Sequence, residues 1–441
     1  MNTTSEWFAG VPQCWPVIPI KHGFRLIGSG TTPPTGEARF YDGTIPWVNT
    51  SELRENVVLQ TDKTLTTEAI EEFTALKTYP VGTVLFAMYG ATIGRVAILG
   101  VPATVNQAVC ALADPSRFTP RFVFYGLQAS REFLAACSTG GGQPNLNAEK
   151  VREHKLPCPD LQTQRAIADY LDRETARLDE LVAAKERVLG LLAEKRRALI
   201  TRAVTRGLDR RVPLRDSGIP WLGEIPAHWE LCHLKRVLAT IDYGISESVG
   251  PVGAVAVLRM GDIQDGEVEY SKLGFVDAVD QALLLRPGDL LFNRTNSLEQ
   301  IGKVALFRRK ADYPVSYASY LVRLRCGSRV LPEFLNWLLN SAFPVAWGRS
   351  EALPAIGQAN LNPNRYGYLP MALPPLEEQK DIIAAIHGAI GKLDAVRAAT
   401  ERTIILLKER RAALIAAAVT GQIDAADFPA PVEFAPKERS C

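Results

Sequence analysis

LQTQRAIADYLDRETARLDELVAAKERVLGLLAEKRRALITRAVT, residues 161–205, returns as LEEQKDIIAAIHGAIGKLDAVRAATERTIILLKERRAALIAAAVT, residues 376–420. Aligning Gln164 with Gln379 holds without a gap from Gln143/Gln358 to Asp209/Asp424. From Pro159 onward about 21 of roughly 51 pairs are identical, far above chance, so the chain carries an internal repeat. Each copy reads as one long helix. Neither has a proline after its start, and Ala, Leu, Glu, Lys and Arg dominate, the residues that lose least on entering a helix. Apolar residues recur every seven positions: Leu171, Leu178, Leu192 and Leu199 in the first copy, Ile386, Leu393, Leu407 and Leu414 in the second. A second stripe runs through Ile167, Leu181 and Val188, and through Ile382, Val396 and Ile404. A sustained heptad pattern predicts a coiled coil, and about 45 helical residues span roughly 65 Å. The sharper reading is a spacer between two domains; the plainer one is two helices packed on their own domains.

Working outward, the repeat extends past the helices. Trp7, Pro12, Trp15 and Lys21 are spaced as are Trp221, Pro226, Trp229 and Lys235. The chain is therefore domain, helix, domain, helix: 1–160, 161–206, a linker at 207–220, 221–375, 376–421, and a tail at 422–441. Both domains mix short apolar runs with turns, which predicts an α/β (α+β) fold. Val81–Phe86 parallels Pro287–Phe292, Arg95–Ile98 parallels Lys303–Phe307, and a helix over Phe122–Leu134 parallels one over Leu331–Leu339. Each domain ends in Gln-x-Asn-Leu-Asn (Gln143 to Asn147, Gln358 to Asn362), where an asparagine before a short helix is a natural cap.

The 441 residues are 47% hydrophobic and 22% charged with a net charge of +2, which suits a folded protein of two or three domains. Seven scattered cysteines form no CxxC or Cys/His cluster, so neither zinc nor a disulfide framework is indicated. No basic segment followed by an apolar run opens the chain, and no stretch reaches the length of a membrane span, so a cytoplasmic protein without a membrane partner is expected. No catalytic constellation emerges. Gly28-Ser-Gly30 runs into Thr-Thr-Pro-Pro instead of a GxGxxG turn, and there is no Walker A, HExxH, GxSxG or Asn/Asp-Pro-Pro-aromatic sequence. Recognition or scaffolding is favoured over chemistry. Asn293-Arg294-Thr295-Asn296 follows an apolar strand and carries side-chain types that pair with adenine and guanine. Met88 to Thr92 stands at the corresponding point of the first domain. Candidate DNA-binding residues are therefore Tyr89, Thr92, Arg95, Arg259, Asn293, Arg294, Asn296 and Lys303, with Lys77, Arg308 and Arg309 as further phosphate contacts.

These features together resemble the specificity (HsdS) subunit of type I restriction-modification systems. The resemblance rests on the paired Leu-x-x-Gln-x-x-Ile (Leu161, Gln164, Ile167; Leu376, Gln379, Ile382) after a proline, on Leu178-Asp179 and Leu393-Asp394, and on the basic runs 195–197 and 408–411. It covers essentially the whole chain. In the first domain, Val81-Gly-Thr-Val departs from the Pro-Gly-Asp-Leu of the second, and Asn-Arg-Thr-Asn is missing. The resemblance implies two target-recognition domains separated by two long antiparallel helices with pseudo-two-fold symmetry. Each domain would read one half of a bipartite, asymmetric double-stranded DNA target. It further implies that two methyltransferase subunits dock on the helices, that motor-nuclease subunits join the full complex, and that S-adenosylmethionine, ATP and Mg belong to those partners. The subunit itself would bind no cofactor or metal and catalyse nothing. The alternative is a duplicated coiled-coil scaffold that recognises no DNA.

Overall fold

In the computed structural model, residues 8, 10–136, 146–270, 273–308, 313–355 and 357–423 are described. Trp7, Gln143, Asn145, Arg309 and the tail from residue 424 lie outside the described residues. The chain divides into two compact units, one of residues 1–186 with 402–441 and one of residues 187–401. The division falls inside each long helix.

In the first unit, strands β1 (Phe24–Ser29), β2 (Asn56–Val58), β3 (Val84–Ala87), β4 (Val96–Leu99) and β5 (Val109–Pro115) form a sheet in the order β1-β5-β3-β4-β2. All neighbours are antiparallel except β2 and β4. In the second unit, β6 (Leu238–Tyr243), β7 (Ile263–Gln264), β8 (Glu267–Val268), β9 (Leu290–Asn293), β10 (Val304–Leu306) and β11 (Leu321–Cys326) run in the order β6-β11-β9-β10-β8-β7. The β8–β10 pair is parallel here, so five strands repeat the first sheet strand for strand. A smaller sheet repeats as well. Tyr41–Val48 pairs antiparallel with Thr64–Leu65 and parallel with Thr104–Val105, as Val255–Leu258 does with Gly274–Val276 and Val315–Tyr317.

The two frames share register but not chemistry. Gly28 faces Ala111 where Asp242 faces Arg323, and Leu26 faces Ala113 where Thr240 faces Arg325. Arg323 is buried; it donates to the Asp242 carboxylate at 2.6 Å and to the Ala282 and Leu284 carbonyls. Arg325 grips the buried Asp289 carboxylate with two bonds of 2.7 Å. Thr83 replaces Asp289 in the first unit, and its hydroxyl turns back on the Pro80 carbonyl at 2.7 Å. The aspartate and its arginine are therefore lost together, since a buried charge left without its partner costs several kcal/mol. The turn itself survives because Gly82 and Gly288 both hold positive φ, 86° and 95°.

Helix α1 (Pro120–Ala129) packs Phe122, Val123, Tyr125 and Leu127 into the core of the first unit. It stops short of the predicted Leu134: Ser130 leaves the helical path and a separate helix covers Arg131–Ala136. Helix α2 is unbroken from Leu161 to Arg206, 46 residues. In the second unit α3 (Pro332–Leu339) takes the place of α1, and α4 runs from Leu376 to Val419, 44 residues. Both long helices bury their ends in domain cores. Ile167 and Leu171 from α2 join Ile415, Ala418 and Val419 from α4 in the first unit. Ala203 and Val204 join Ile382, Ile386 and Ile390 in the second. Within each unit the two helical segments run antiparallel, since Asp179 pairs with Arg411 and Glu186 with Lys408, while Arg196 pairs with Asp394. The repeat's own aspartate and arginine thus meet across the seam in both units.

Only part of the heptad pattern is buried. Leu171, Leu178 and Ile386 are buried, and Leu192, Leu199, Leu393, Leu407 and Leu414 are half-buried. In the second stripe Ile167, Ile382 and Ile404 are buried, but Leu181, Val188 and Val396 are exposed.

Candidate nucleic-acid interface

The motif glutamines explain why the two domains end alike. Gln164 is fully buried. Its Oε1 accepts the Thr119 amide at 2.7 Å, and its Nε2 donates to the carbonyls of Arg117 and Pro159 at 2.9 and 2.8 Å. Gln379 does the same with the Leu331 amide at 2.7 Å and the carbonyls of Arg329 and Pro374 at 3.0 and 2.9 Å. Thr119 and Leu331 are the residues before α1 and α3, so one side chain ties each long helix to the short helix under its sheet. Sequence pattern flagged these glutamines without revealing this clamp. The last asparagine of each motif is a cap: Asn147 accepts the Lys150 amide and Asn362 the Asn364 amide. Leu146 and Leu361 are buried beside them.

The clamped frame presents a strand end at which the two units differ. In the second unit Asn293, at the end of β9, is only 1% exposed, and its Oδ1 has no hydrogen-bond partner among the described residues. It faces the interior, so the expectation that it reaches a base edge from the surface is not what this geometry offers. Arg294 is half-buried. Its guanidinium donates to Asn360 Oδ1 at 3.1 Å and lies 5.1 Å from the ring of Tyr243. Thr295–Asn296 pairs with Gln358–Asn360, which pairs in turn with Leu353–Ala355, a three-stranded sheet beyond β9. Asn296 is half-buried and its Oδ1 accepts the Ser297 amide. Arg294 and Asn296 are thus brought together at one loop, with the exposed rings of Tyr243 and Tyr320 close by in the chain trace. Asp242, next in sequence to Tyr243, loses less solvation than it gains in bonds: burial raises its carboxyl, but Thr240 and Arg323 outweigh burial and hold it below the usual range.

In the first unit Met88 occupies the place of Arg294, since its carbonyl accepts the Leu146 amide as that of Arg294 accepts the Leu361 amide. Tyr89 is half-buried on the core, Thr92 donates to the Tyr89 carbonyl at 3.3 Å, and Arg95 pairs with Glu55 at 3.4 Å. Gly94 and Gly302 both hold positive φ and donate to the carbonyls of Ala87 and Asn293, so the corner before β4 and β10 is shared; Gly90, also at positive φ, belongs to the loop of the first unit. Arg259 is exposed at the far end of its strand, and its amide donates to the Asp262 carboxylate. Lys303 is half-buried next to β10, its carbonyl accepting the Asn293 amide. Arg308 is occupied by Glu267 and Glu333, so as placed it is a structural cation and not a free phosphate contact. No group of three His, Cys, Asp or Glu side chains is placed to hold a metal among the described residues. Nor is any helix among them long and apolar enough to cross a membrane.

Comparison with known proteins agrees with this layout. Residues 14–189 match the family described as type I restriction modification DNA specificity domain. The type I restriction enzyme EcoBI specificity subunit of Escherichia coli is 24% identical over 343 residues, 74% of this chain and 70% of that one. The EcoKI specificity subunit of Escherichia coli strain K12 is 22% identical over 430 residues, 94% and 90% of the two chains. A solved chain from work on the assembly and conformational transition of the type I system shares the fold with a TM-score of 0.68 at 18% identity, over 94% of this chain and 99% of that one. The HsdS subunit of Thermoanaerobacter tengcongensis does so with a TM-score of 0.54 at 17% identity, over 94% and 98%.

Proposed function

Because the chain belongs to the family of type I restriction-modification DNA specificity subunits, we propose that its two units each read one half of a split, asymmetric duplex target. The observation that carries this reading is one frame built twice with different side chains at the same strand end. A rigid sheet with a variable loop lets each unit meet its own bases while both units share one mode of docking. In the second unit Arg294 is the base-reading group, with Asn296 beside it; in the first, Tyr89, Thr92 and Arg95 occupy the equivalent loop. Arg259 and Lys303 contact phosphates.

Helices α2 and α4 supply the docking faces for two methyltransferase subunits. Support comes from apolar side chains left uncovered at repeat-equivalent positions. Leu181 and Leu406 are exposed in the first unit, and Val396 and Leu191 in the second. Exposed apolar residues recurring in this way mark contact surfaces, and a duplicated one suits two copies of one partner. The partners supply S-adenosylmethionine binding and adenine methylation. Motor-nuclease subunits add ATP- and Mg-dependent translocation and cleavage, and this chain contributes selection, in the cytoplasm, without chemistry of its own.

The test is a domain exchange. Residues 221–375 are replaced by the matching domain of another such subunit, and methylated adenines are mapped in cells carrying the hybrid with its partners. One half of the recognised sequence changes while the other half and the gap stay fixed. A change in both halves refutes independent reading.

A further inference from the structure

The Gln-x-Asn-Leu-Asn motif is absorbed by the fold except for its first residue. Leu361 is buried, Asn362 caps a helix, and Asn360 holds Arg294. The Gln358 side chain is exposed and makes no hydrogen bond or ion pair among the described residues. Its strand explains where it points. Ala359 is buried, so Gln358 and Asn360 share the opposite face, about 7 Å apart along the strand. That face also carries Leu353, which pairs with Asn360 and is exposed. Gln358 further lines an open groove of about 480 Å3 with Ser297, Glu299 and Arg349. Arg349 donates to the Glu299 carbonyl at 2.7 Å, and the Ser297 hydroxyl lowers the Glu299 carboxyl by hydrogen bonding to it. One cation and one anion thus sit together there, and the Gln358 amide is a neutral donor left facing the groove beside them.

We propose that Gln358 donates its side-chain amide to a phosphate oxygen of the target duplex and sets the register in which Arg294 meets the bases. This rests on the DNA-reading role proposed above. The neighbouring loops differ between the domains, Met88 to Thr92 against Arg294 to Asn296, yet Gln358 has the same residue at Gln143 in the sequence. Two different half-sites have only their sugar-phosphate backbone in common. A residue type that recurs in both domains, and that in the second is exposed, is suited to the common part, and Gln is among the side chains that bond phosphates.

The experiment uses the full chain assembled with its methyltransferase subunits. Equilibrium binding is measured on the cognate duplex and on duplexes altered at each base pair of the second half-site, at several salt concentrations. Gln358→Ala weakens binding about five- to tenfold on every duplex, leaving the order of preference intact. Gln358→Lys restores affinity and steepens the dependence on salt by about one released counterion. A variant that alters base preference in the second half-site overturns the proposal in favour of base reading. Unchanged DNA affinity, with or without weaker subunit assembly, overturns it too. A wild-type complex that selects no sequence would instead defeat the proposed function itself, whatever Gln358 does.

Discussion

Replacing Gln379 by leucine removes three hydrogen bonds at nearly constant volume. The side chain is fully buried, so water cannot substitute. The change strands the Leu331 amide, which enters α3, together with one bond each to the Arg329 and Pro374 carbonyls. A buried donor without a partner costs about 1–3 kcal/mol, and a carbonyl less because its second lone pair can find another donor. The sum is about 3–5 kcal/mol, a large share of the 5–15 kcal/mol typical of a domain. Gln164→Leu breaks the same three bonds in the first unit, so the two losses agree within about 1 kcal/mol. Urea unfolding followed by tryptophan fluorescence and by far-ultraviolet circular dichroism measures both, since each unit contains tryptophans. Gln379→Glu keeps the acceptor for Leu331 but turns a carboxylate toward two carbonyls, so it destabilises at least as much at neutral pH. A loss below about 1 kcal/mol in either leucine variant would refute the clamp, because buried groups that can be orphaned so cheaply were not being satisfied by the glutamine.

Two further outcomes follow from the same geometry. His154 is buried against the Ser130 hydroxyl at 2.9 Å, and burial lowers its pKa from 6.5 to about 4. The unfolded chain therefore binds this proton more readily, so the stabilisation is complete above pH 6.5 and is lost as pH falls toward 4. The contribution is about 3 kcal/mol at most. His154→Gln flattens that part of the urea midpoint against pH profile, and an unchanged slope would show that other groups cause it. Inserting four residues near the middle of α2, at about one helical turn, lengthens the gap between the two recognised DNA half-sites in a map of methylated adenines. An unaltered gap would mean that the helices do not set the spacing.

Much of the architecture was legible because it is periodic. A repeat of about 215 residues announced two like units, and proline-free, alanine- and leucine-rich stretches announced helices that proved 46 and 44 residues long. Strand positions followed from short apolar runs, as at Val84–Ala87 and Leu290–Asn293. The site was legible only as a place. Asn293 and Arg294 are adjacent and equally polar in sequence, yet one is interior and the other is held against Asn360 and Tyr243. Nothing local separates them, because burial at a strand end depends on what the neighbouring strands cover.

By itself, then, the sequence determined the duplication, the order of domain and helix, and the apolar faces that drive each to fold, since these depend on local composition and spacing. Tertiary structure alone decided that Gln164 and Gln379 are clamps, that Asp289 and Arg325 belong together, that Leu181 and Val396 stay uncovered, and that Gln358 is free where Asn360 is not. The physical reason is that hydrogen bonds and burial are settled between residues distant in sequence, at separations of 45, 36 and 48 for the Gln164, Asp289 and Gln379 contacts. Only the folded chain brings such partners to within 3 Å.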